Sequence, residues 1–207
     1  MAEKLKVAVL ASGRGSNFQA LANDCLSPDF PAVIALLFVD NPDAGALEIA
    51  ERLGIRSHVV DCGKFKGSMG RESSEEIYRI CNENGVGLVC LAGFMRIVKG
   101  KLLEEFSGKM LNIHPALLPS FKGLNGQKRA LDYGVKVSGC TVHFVDKGVD
   151  TGPIVIQKAV PVLQDDTEES LSARILAMEH EAYSEAVKAF AAGRIEIFER
   201  RVRIHDE

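Results

Sequence analysis

Short apolar runs alternate with helix-like patterns through the first half of the chain. Four runs rich in β-branched residues are predicted as buried strands, at 5–10, 33–39, 57–60 and 86–91. Helices are predicted between them from Phe18-x-x-Leu21-Ala22, from Leu47, Ala50 and Leu53, and over 75–84, where Gly85 ends the pattern. This alternation predicts βαβ units, a mainly parallel twisted sheet and helices on both of its faces.

The second half continues the sheet and then changes character. A fifth strand is predicted at 109–113, and two longer extended segments at 138–145 and 153–162 leave an antiparallel pairing open. A long helix follows, with a charged first turn at 167–170, an inner stripe of Leu171, Ile175, Met178 and Ala182, and an end at Gly193. Beyond it we expect a short strand and a charged tail at about 199–207. We expect one α/β domain over 1–207 without a linker.

Composition and charge narrow the class of partner. Apolar residues make up 46% of the 207 residues and charged residues 26%, which is ordinary for a globular protein. The 25 basic and 28 acidic side chains are interspersed and give a net charge of −3, so neither nucleic acid nor an anionic membrane is an expected partner. A small anionic ligand would need a local basic site.

Cysteine usage and the lack of long apolar stretches indicate the cytoplasm. The five cysteines are scattered and form no Cys-x-x-Cys pair, so we expect reduced thiols. No stretch approaches membrane-spanning length, and the first short apolar run leads into Ser12-Gly13-Arg14 rather than a cleavage site, so we identify no targeting segment.

The segment Asn112-Ile113-His114-Pro115 carries the most specific chemistry. Asn112 and His114 are two residues apart in an extended segment and share one face, at the carboxyl end of the fifth strand where open α/β sheets bind ligands. Pro115 and Pro119 restrict the residues before them and stiffen the loop. An amide donor beside a titratable imidazole suits acyl transfer, in which one group stabilises the oxyanion and the other moves a proton. The alternative is an ordinary strand end with a hydrogen-bonded histidine.

A glycine-rich loop, 12–17, follows the first strand and precedes the first helix. Glycines let the backbone approach a ligand, and free N–H groups at a helix start attract phosphate, so this placement predicts a phosphate-binding loop. Asp40 ends the second strand as the ribose-binding acid of a dinucleotide site would. The third small residue of that fingerprint is missing and the spacing to Asp40 exceeds the usual ~20 residues, so a nicotinamide site is disfavoured.

Other polar positions have an ordinary interpretation beside the functional one. Asp150 lies in a turn-rich connection and could make local turn hydrogen bonds, or stabilise the imidazolium form of His114. Arg96, in an apolar segment after the fourth strand, could be a surface charge or part of a pocket wall for a flat ring. No Gly-x-Ser-x-Gly elbow and no metal-ligand spacing is present, so neither a covalent triad nor a metal site is expected, and His143 is interpreted as a hydrogen-bonded strand residue.

Taken together, the motifs resemble phosphoribosylglycinamide formyltransferases, the folate-dependent enzymes of purine synthesis. The resemblance runs from Val7 to about Phe198. It is carried by Ser-Gly-x-Gly-Ser-Asn at 12–17, Leu-Ala-Gly-Phe-Met-Arg at 91–96, Asn-Ile-His-Pro-x-Leu-Leu-Pro at 112–119, Val-His-Phe-Val at 142–145 and Asp-x-Gly-Pro at 150–153. Their order along the chain is far more specific than any one of them.

The resemblance implies transfer of a formyl group from 10-formyltetrahydrofolate, a co-substrate, to the amine of glycinamide ribonucleotide. His114 would be the proton donor, Asn112 the oxyanion partner, and Asp150 would raise the pKa of His114 and organise a water-mediated transfer. The loop Gly13, Arg14, Gly15, Ser16 and Asn17 would bind the substrate phosphate, and Glu179 the ribose hydroxyls. The folate site would be lined by Arg71, Met95, Arg96, Ile97, Val98, Asn112 and the Asp150 loop.

The chain departs from the family pattern at two places and leaves alternatives open. Asn125-Gly126-Gln127 stands where members often carry histidines, and Lys147 where they often carry an acid. A formyltetrahydrofolate hydrolase, or a silent folate- or nucleotide-binding module, remains an alternative function. The sequence does not decide between a monomer and a homodimer.

Overall fold

The apolar runs form the strands of a seven-stranded sheet. In the computed structural model, which describes residues 3–63 and 67–206, these strands are β1 (Leu5–Ala11), β2 (Ala32–Val39), β3 (Arg56–Val59), β4 (Leu88–Leu91), β5 (Met110–His114), β6 (Val137–Phe144) and β7 (Ile154–Pro161). The strand order is β3-β2-β1-β4-β5-β6-β7. The chain divides into two compact units, Met1–Leu111 and Asn112–Glu207.

The first unit is a parallel α/β arrangement. Strand β1 pairs in parallel with β2 and with β4, and β2 pairs in parallel with β3. Residues 7–11 of β1 are fully buried, which explains why this strand is a continuous apolar run rather than an alternating one. The helices of this unit are α1 (Ser16–Cys25), α2 (Ala46–Arg52), α3 (Arg71–Glu83) and α4 (Lys101–Glu105).

The second unit is antiparallel. Strands β6 and β7 pair antiparallel, and helix α6 (Glu168–Ala191) packs on both of them through an inner stripe that includes Leu171, Ile175 and Ala182. The helix begins at a capping box in which Thr167 and Ser170 each accept the other's backbone N–H. Helix α5 (Gly126–Tyr133) and a hairpin of β8 (Ile195–Phe198) and β9 (Arg201–Ile204) complete this unit.

The structure corrects the sequence prediction at three elements. Helices α4 and α5 were not predicted, because α4 has only five residues and α5 buries only Gly126 and Ala130, so neither presents a clear apolar stripe. The predicted charged tail at about 199–207 is wrong over 201–204, which pair with β8, because basic and aliphatic residues alternate there and suit a half-exposed strand. Residue 207 of that tail lies outside the described residues. No helix in the described ranges is long and apolar enough to cross a membrane.

The turn between β6 and β7 requires a glycine at position 152. A Cβ there would overlap the carbonyl of Phe144, a backbone group that cannot move aside as a flexible side chain could. We expect Gly152→Ala to lower the free energy of unfolding by about 3 kcal/mol, the upper end of the cost of overpacking. Urea unfolding followed by circular dichroism measures this change. Gly67→Ala is the matched control, because its Cβ would enter open space; equal unfolding midpoints for the two variants would contradict the prediction.

Candidate active site

Strand β5 delivers the amide and the imidazole to one place. Asn112 and His114 alternate with the buried Ile113, so their side chains lie on the same face of the strand. His114 is 4% exposed and Asn112 is half-buried. The shared face predicted from the spacing is confirmed.

The connection between β6 and β7 delivers the carboxylate. Asp146 accepts hydrogen bonds from the backbone N–H of Gly148 (3.0 Å) and the hydroxyl of Thr151 (2.6 Å), which closes the turn. Within this turn Asp150 adopts a left-handed backbone conformation with φ of 51°. Aspartate is among the residues that tolerate this region, and the conformation aims its side chain out of the turn.

The three predicted side chains converge in the second unit. Oδ2 of Asp150 lies 3.3 Å from Nδ1 of His114 and accepts the backbone N–H of Gly123 at 2.7 Å. Oδ1 of Asp150 lies 3.5 Å from Nδ2 of Asn112. The other ring nitrogen of His114, Nε2, donates to the carbonyl of Phe121 at 3.0 Å. One carboxylate therefore contacts both the imidazole and the amide.

His143 is a fourth member of the cluster that sequence reasoning missed. Its Nδ1 lies 2.8 Å from the carbonyl of Phe144, which can only accept, so Nδ1 carries the proton. In the neutral ring Nε2 then accepts from Nδ2 of Asn112 at 3.2 Å, and it also lies 3.5 Å from Oδ1 of Asp150. His143 is a hydrogen-bonded strand residue, as predicted. Its position on the same face as Thr141 was the available signal, but nothing local connected it to Asn112.

Burial and charge oppose each other in the titration of this cluster. Burial lowers the pKa of His114 below its ordinary value, and the Asp150 carboxylate and the Phe121 carbonyl oppose this without reversing it. The resemblance implied that Asp150 raises the pKa of His114; the carboxylate acts in that direction, but desolvation outweighs it. Burial by itself raises the pKa of Asp150, but the His143 ring, whose Nε2 donates to Oδ1 in its protonated form, and the N–H of Gly123 favour the carboxylate and hold that pKa below its ordinary value.

The buried Thr141 and the exposed Gln157 hold the loop that follows His114. The hydroxyl of Thr141 donates to the carbonyl of Ala116 (2.7 Å) and accepts the N–H of Leu118 (3.0 Å). The amide of Gln157 donates to the carbonyl of Leu118 (2.9 Å) and to the hydroxyl of Thr141 (3.0 Å). These bonds replace the strand pairing that the loop has left, and they attach it to β6 and β7.

In the first unit, the glycine-rich loop lies where the sequence placed it. It follows β1 directly, and Gly15, at φ of 80°, caps α1 before Ser16. A Cβ on Gly15 would lie 2.8 Å from Cβ of Ala46, so only glycine lets the loop pack on the start of α2. Gly13 and Arg14 are exposed. Exposed backbone at a helix start suits an anion.

The predicted folate segment, 95–98, contains both exposed apolar side chains and a buried charge. Met95 is 55% exposed and Ile97 37%, whereas Val98 is buried. Arg96 is not a solvated surface charge, since its Nε donates to Oδ2 of Asp40 at 2.6 Å and their side chains are 15% and 6% exposed. The pairing gives Asp40 a partner within the protein. Sequence reasoning missed it because the two residues lie 56 positions apart.

Arg71 and Glu179, the remaining predicted site residues, differ in exposure. Arg71, at the first position of α3, is exposed and pairs with Glu75. Glu179 is 6% exposed on α6, so it is not a solvated surface charge. All five cysteines are buried thiols. In the parts of the chain that the structure describes, no group of three or more histidine, cysteine or acidic side chains could hold a metal ion.

Comparison with known proteins shows which family the chain belongs to. The profile of the formyl transferase family matches residues 5–187, and the chain belongs to that family. Among its relatives, the phosphoribosylglycinamide formyltransferase of Bacillus subtilis is 40% identical over 183 residues, which cover 88% of this chain and 93% of the relative. The trifunctional purine biosynthetic protein adenosine-3 of Gallus gallus is 46% identical over 196 residues, or 95% of this chain, but this chain spans only 19% of that protein.

A solved structure shows the same fold. Glycinamide ribonucleotide transformylase 1 from Symbiobacterium toebii superposes with a TM-score of 0.93 at 46% identity, covering 100% of this chain and 96% of that chain. The predicted family and the predicted fold class, a mainly parallel α/β sheet with late antiparallel strands and surrounding helices, are confirmed. The roles predicted for individual site residues stay predictions.

The opposing effects on His114 give a measurable titration. Because burial lowers its pKa, we expect His114 in the free protein to be neutral at pH 7 and to gain its proton only below pH 6.5, the ordinary value. Asp150→Asn removes the anion that favours the charged ring, so its His114 pKa should fall further. Titration of the ring by ¹H–¹⁵N NMR checks both. His205, which is exposed, is the control resonance. A His114 pKa that rises in Asp150→Asn would contradict this account.

Proposed function

We propose that this chain transfers the formyl group of 10-formyltetrahydrofolate to the amine of glycinamide ribonucleotide, giving formylglycinamide ribonucleotide and tetrahydrofolate in purine synthesis. The observation that carries the proposal is that one carboxylate, Asp150, lies 3.3 Å from Nδ1 of His114 and 3.5 Å from Nδ2 of Asn112. Membership in the formyl transferase family supports the reaction class. Relatives of nearly the same length named for this transfer support the substrate.

The amine of the substrate is already a nucleophile, so the reaction needs positioning, oxyanion stabilisation and proton movement rather than a covalent intermediate. The amine nitrogen attacks the formyl carbon, the bond from that carbon to N10 of the folate breaks, the amine loses one proton and N10 gains one. A neutral His114 with Asp150 accepts the amine proton, through a water, and then serves as the donor to N10. The proton that the neutral ring accepts goes to Nδ1, because Nε2 already donates to the carbonyl of Phe121. There it is shared with Oδ2 of Asp150, which stabilises the imidazolium.

Asn112 is suited to the oxyanion. One hydrogen of its Nδ2 is held by His143 at 3.2 Å, which fixes the orientation of the amide. The other faces Asp150 at 3.5 Å, the limit of a hydrogen bond, so it can turn to the formyl oxygen at little cost. A donor that strengthens its bond as charge develops lowers the barrier of the reaction.

The substrate-binding residues are those that the family resemblance implies. The exposed loop of residues 13–17 binds the phosphate, and Glu179 binds the ribose hydroxyls. The folate site uses Arg71 and residues 95–98, where Met95 and Ile97 offer exposed apolar surface to a flat ring. The partners are small molecules, no metal is required, and the chain acts as one formyltransferase domain in the cytoplasm.

The proposal predicts a turnover that depends on both substrates. Tetrahydrofolate should form from 10-formyltetrahydrofolate only when glycinamide ribonucleotide is present, in a spectrophotometric assay of the folate. His114→Ala is the matched variant and should lower turnover by roughly 10²–10⁴-fold, the usual contribution of general acid–base catalysis. Equal turnover without the ribonucleotide would instead identify a formyltetrahydrofolate hydrolase. No turnover in either condition would leave the chain as a binding module and overturn the proposal.

Asn112→Ala separates catalysis from binding. If the amide meets the oxyanion only as charge develops, kcat should fall by about 10²–10³-fold while KM changes little. Steady-state kinetics with each substrate varied in turn measures both constants. A rise in KM with kcat unchanged would mean that Asn112 only binds substrate.

A further inference from the structure

Ser12 links the two substrate-binding segments of the first unit. Its backbone N–H donates to the carbonyl of Gly93 at 3.2 Å, and its Oγ accepts the backbone N–H of Met95 at 2.9 Å. Gly93 and Met95 lie in the turn after β4, and Ser12 is the residue after β1. Strands β1 and β4 pair in parallel, so both segments leave the same edge of the sheet.

The residues on either side of these two bonds are those assigned to substrate. Gly13, the first residue of the phosphate loop, follows Ser12 directly, and Met95 is the first residue of the folate segment. The phosphate loop is also attached to α2, because the carbonyl of Gly13 accepts the backbone N–H of Ala46, the first residue of that helix, at 3.2 Å. Ser12 therefore lies between the phosphate loop and Met95 and is bonded directly to the folate segment.

The hydroxyl of Ser12 has an unused donor. Among residues 3–63 and 67–206 no acceptor is found for its proton, although its oxygen already accepts from Met95. An anion bound at the loop supplies an acceptor for that proton. Hydrogen bonds in series polarise one another, so an Oγ that donates to an anion becomes a better acceptor for the Met95 N–H. Each ligand then stabilises the segment that holds the other.

We propose that Ser12 is a positioning residue that couples phosphate binding at residues 13–17 to folate binding at residues 95–98. This rests on the proposed function, which assigns the two ligands. The coupling is reciprocal: bound phosphate tightens folate binding by the same factor by which folate tightens binding of the phosphate compound. It acts through the Ser12 hydroxyl, not through contact between the ligands.

Isothermal titration calorimetry tests the coupling directly. The probes are glycinamide ribonucleotide and tetrahydrofolate, each titrated alone and into protein saturated with the other, so that no turnover occurs. We expect the wild-type chain to bind each ligand at least about 5-fold more tightly in the presence of the other, within the usual range of such factors. Ser12→Ala should lower that factor on the order of 5-fold, as expected for one lost hydrogen bond. Ser12→Thr, which keeps the hydroxyl, should restore it.

Ser170→Ala is the matched control, because it also removes a serine hydroxyl that accepts an exposed backbone N–H, but at the start of α6. It should leave the coupling unchanged. If the alanine variant does not fold, Ser12→Cys replaces it, because a thiol of similar size accepts hydrogen bonds only weakly. It should lower the coupling factor as Ser12→Ala does.

Independent binding of the two ligands to the wild-type chain would overturn the coupling. So would a coupling factor that is unchanged in Ser12→Ala, or one that Ser170→Ala lowers as much as Ser12→Ala does. These outcomes leave the proposed function intact, because both ligands still bind. A wild-type chain that binds neither ligand overturns the proposed function itself.

Discussion

The Asp150 carboxylate is the interaction on which the rest of the candidate site depends. It is a buried anion, which is costly unless donors surround it. The N–H of Gly123 bonds one oxygen at 2.7 Å, and the imidazoles of His114 and His143 flank the group on two sides. Without this anion His114 and Asn112 would still share one face of β5, but nothing would draw the imidazole and the amide toward the same point.

The carboxylate is aimed by a backbone that is unfavourable by itself. A left-handed conformation at a residue other than glycine costs free energy, and it persists only where the surroundings determine it. Here Asp146 closes the turn, Gly152 lets the chain pass against the Phe144 carbonyl, and the Arg200 guanidinium donates to the carbonyl of Thr151 at 3.0 Å. Thr141 and Gln157 do the same for the loop after His114. Rigid strands thus hold the Asp150 turn and the loop that follows His114, next to the side chains proposed to carry the chemistry.

Much of this was predictable from local patterns. The period of apolar residues located all seven strands of the main sheet and helices α1, α2, α3 and α6, because burial acts on each segment separately. The segment 112–115 and the glycine-rich loop were identified because the chemistry proposed for them depends on residues adjacent in sequence. Helix α4 was missed because it is short, and α5 because only two of its residues are buried. The last strand was missed because it is stabilised by its partner β8 rather than by a buried apolar face of its own.

The sequence by itself determined the seven strands of the main sheet and four of the helices, the shared face of Asn112 and His114, and the motifs that mark the formyl transferase family. Only the tertiary structure decided which distant groups meet: His143 with Asn112, Arg96 with Asp40, and Ser12 with the turn at Met95. It also decided that the pKa of His114 lies below its ordinary value. The physical reason is that a pattern along the chain reports local burial and backbone preference, whereas desolvation and charge pairing depend on neighbours that only folding brings within a few ångströms.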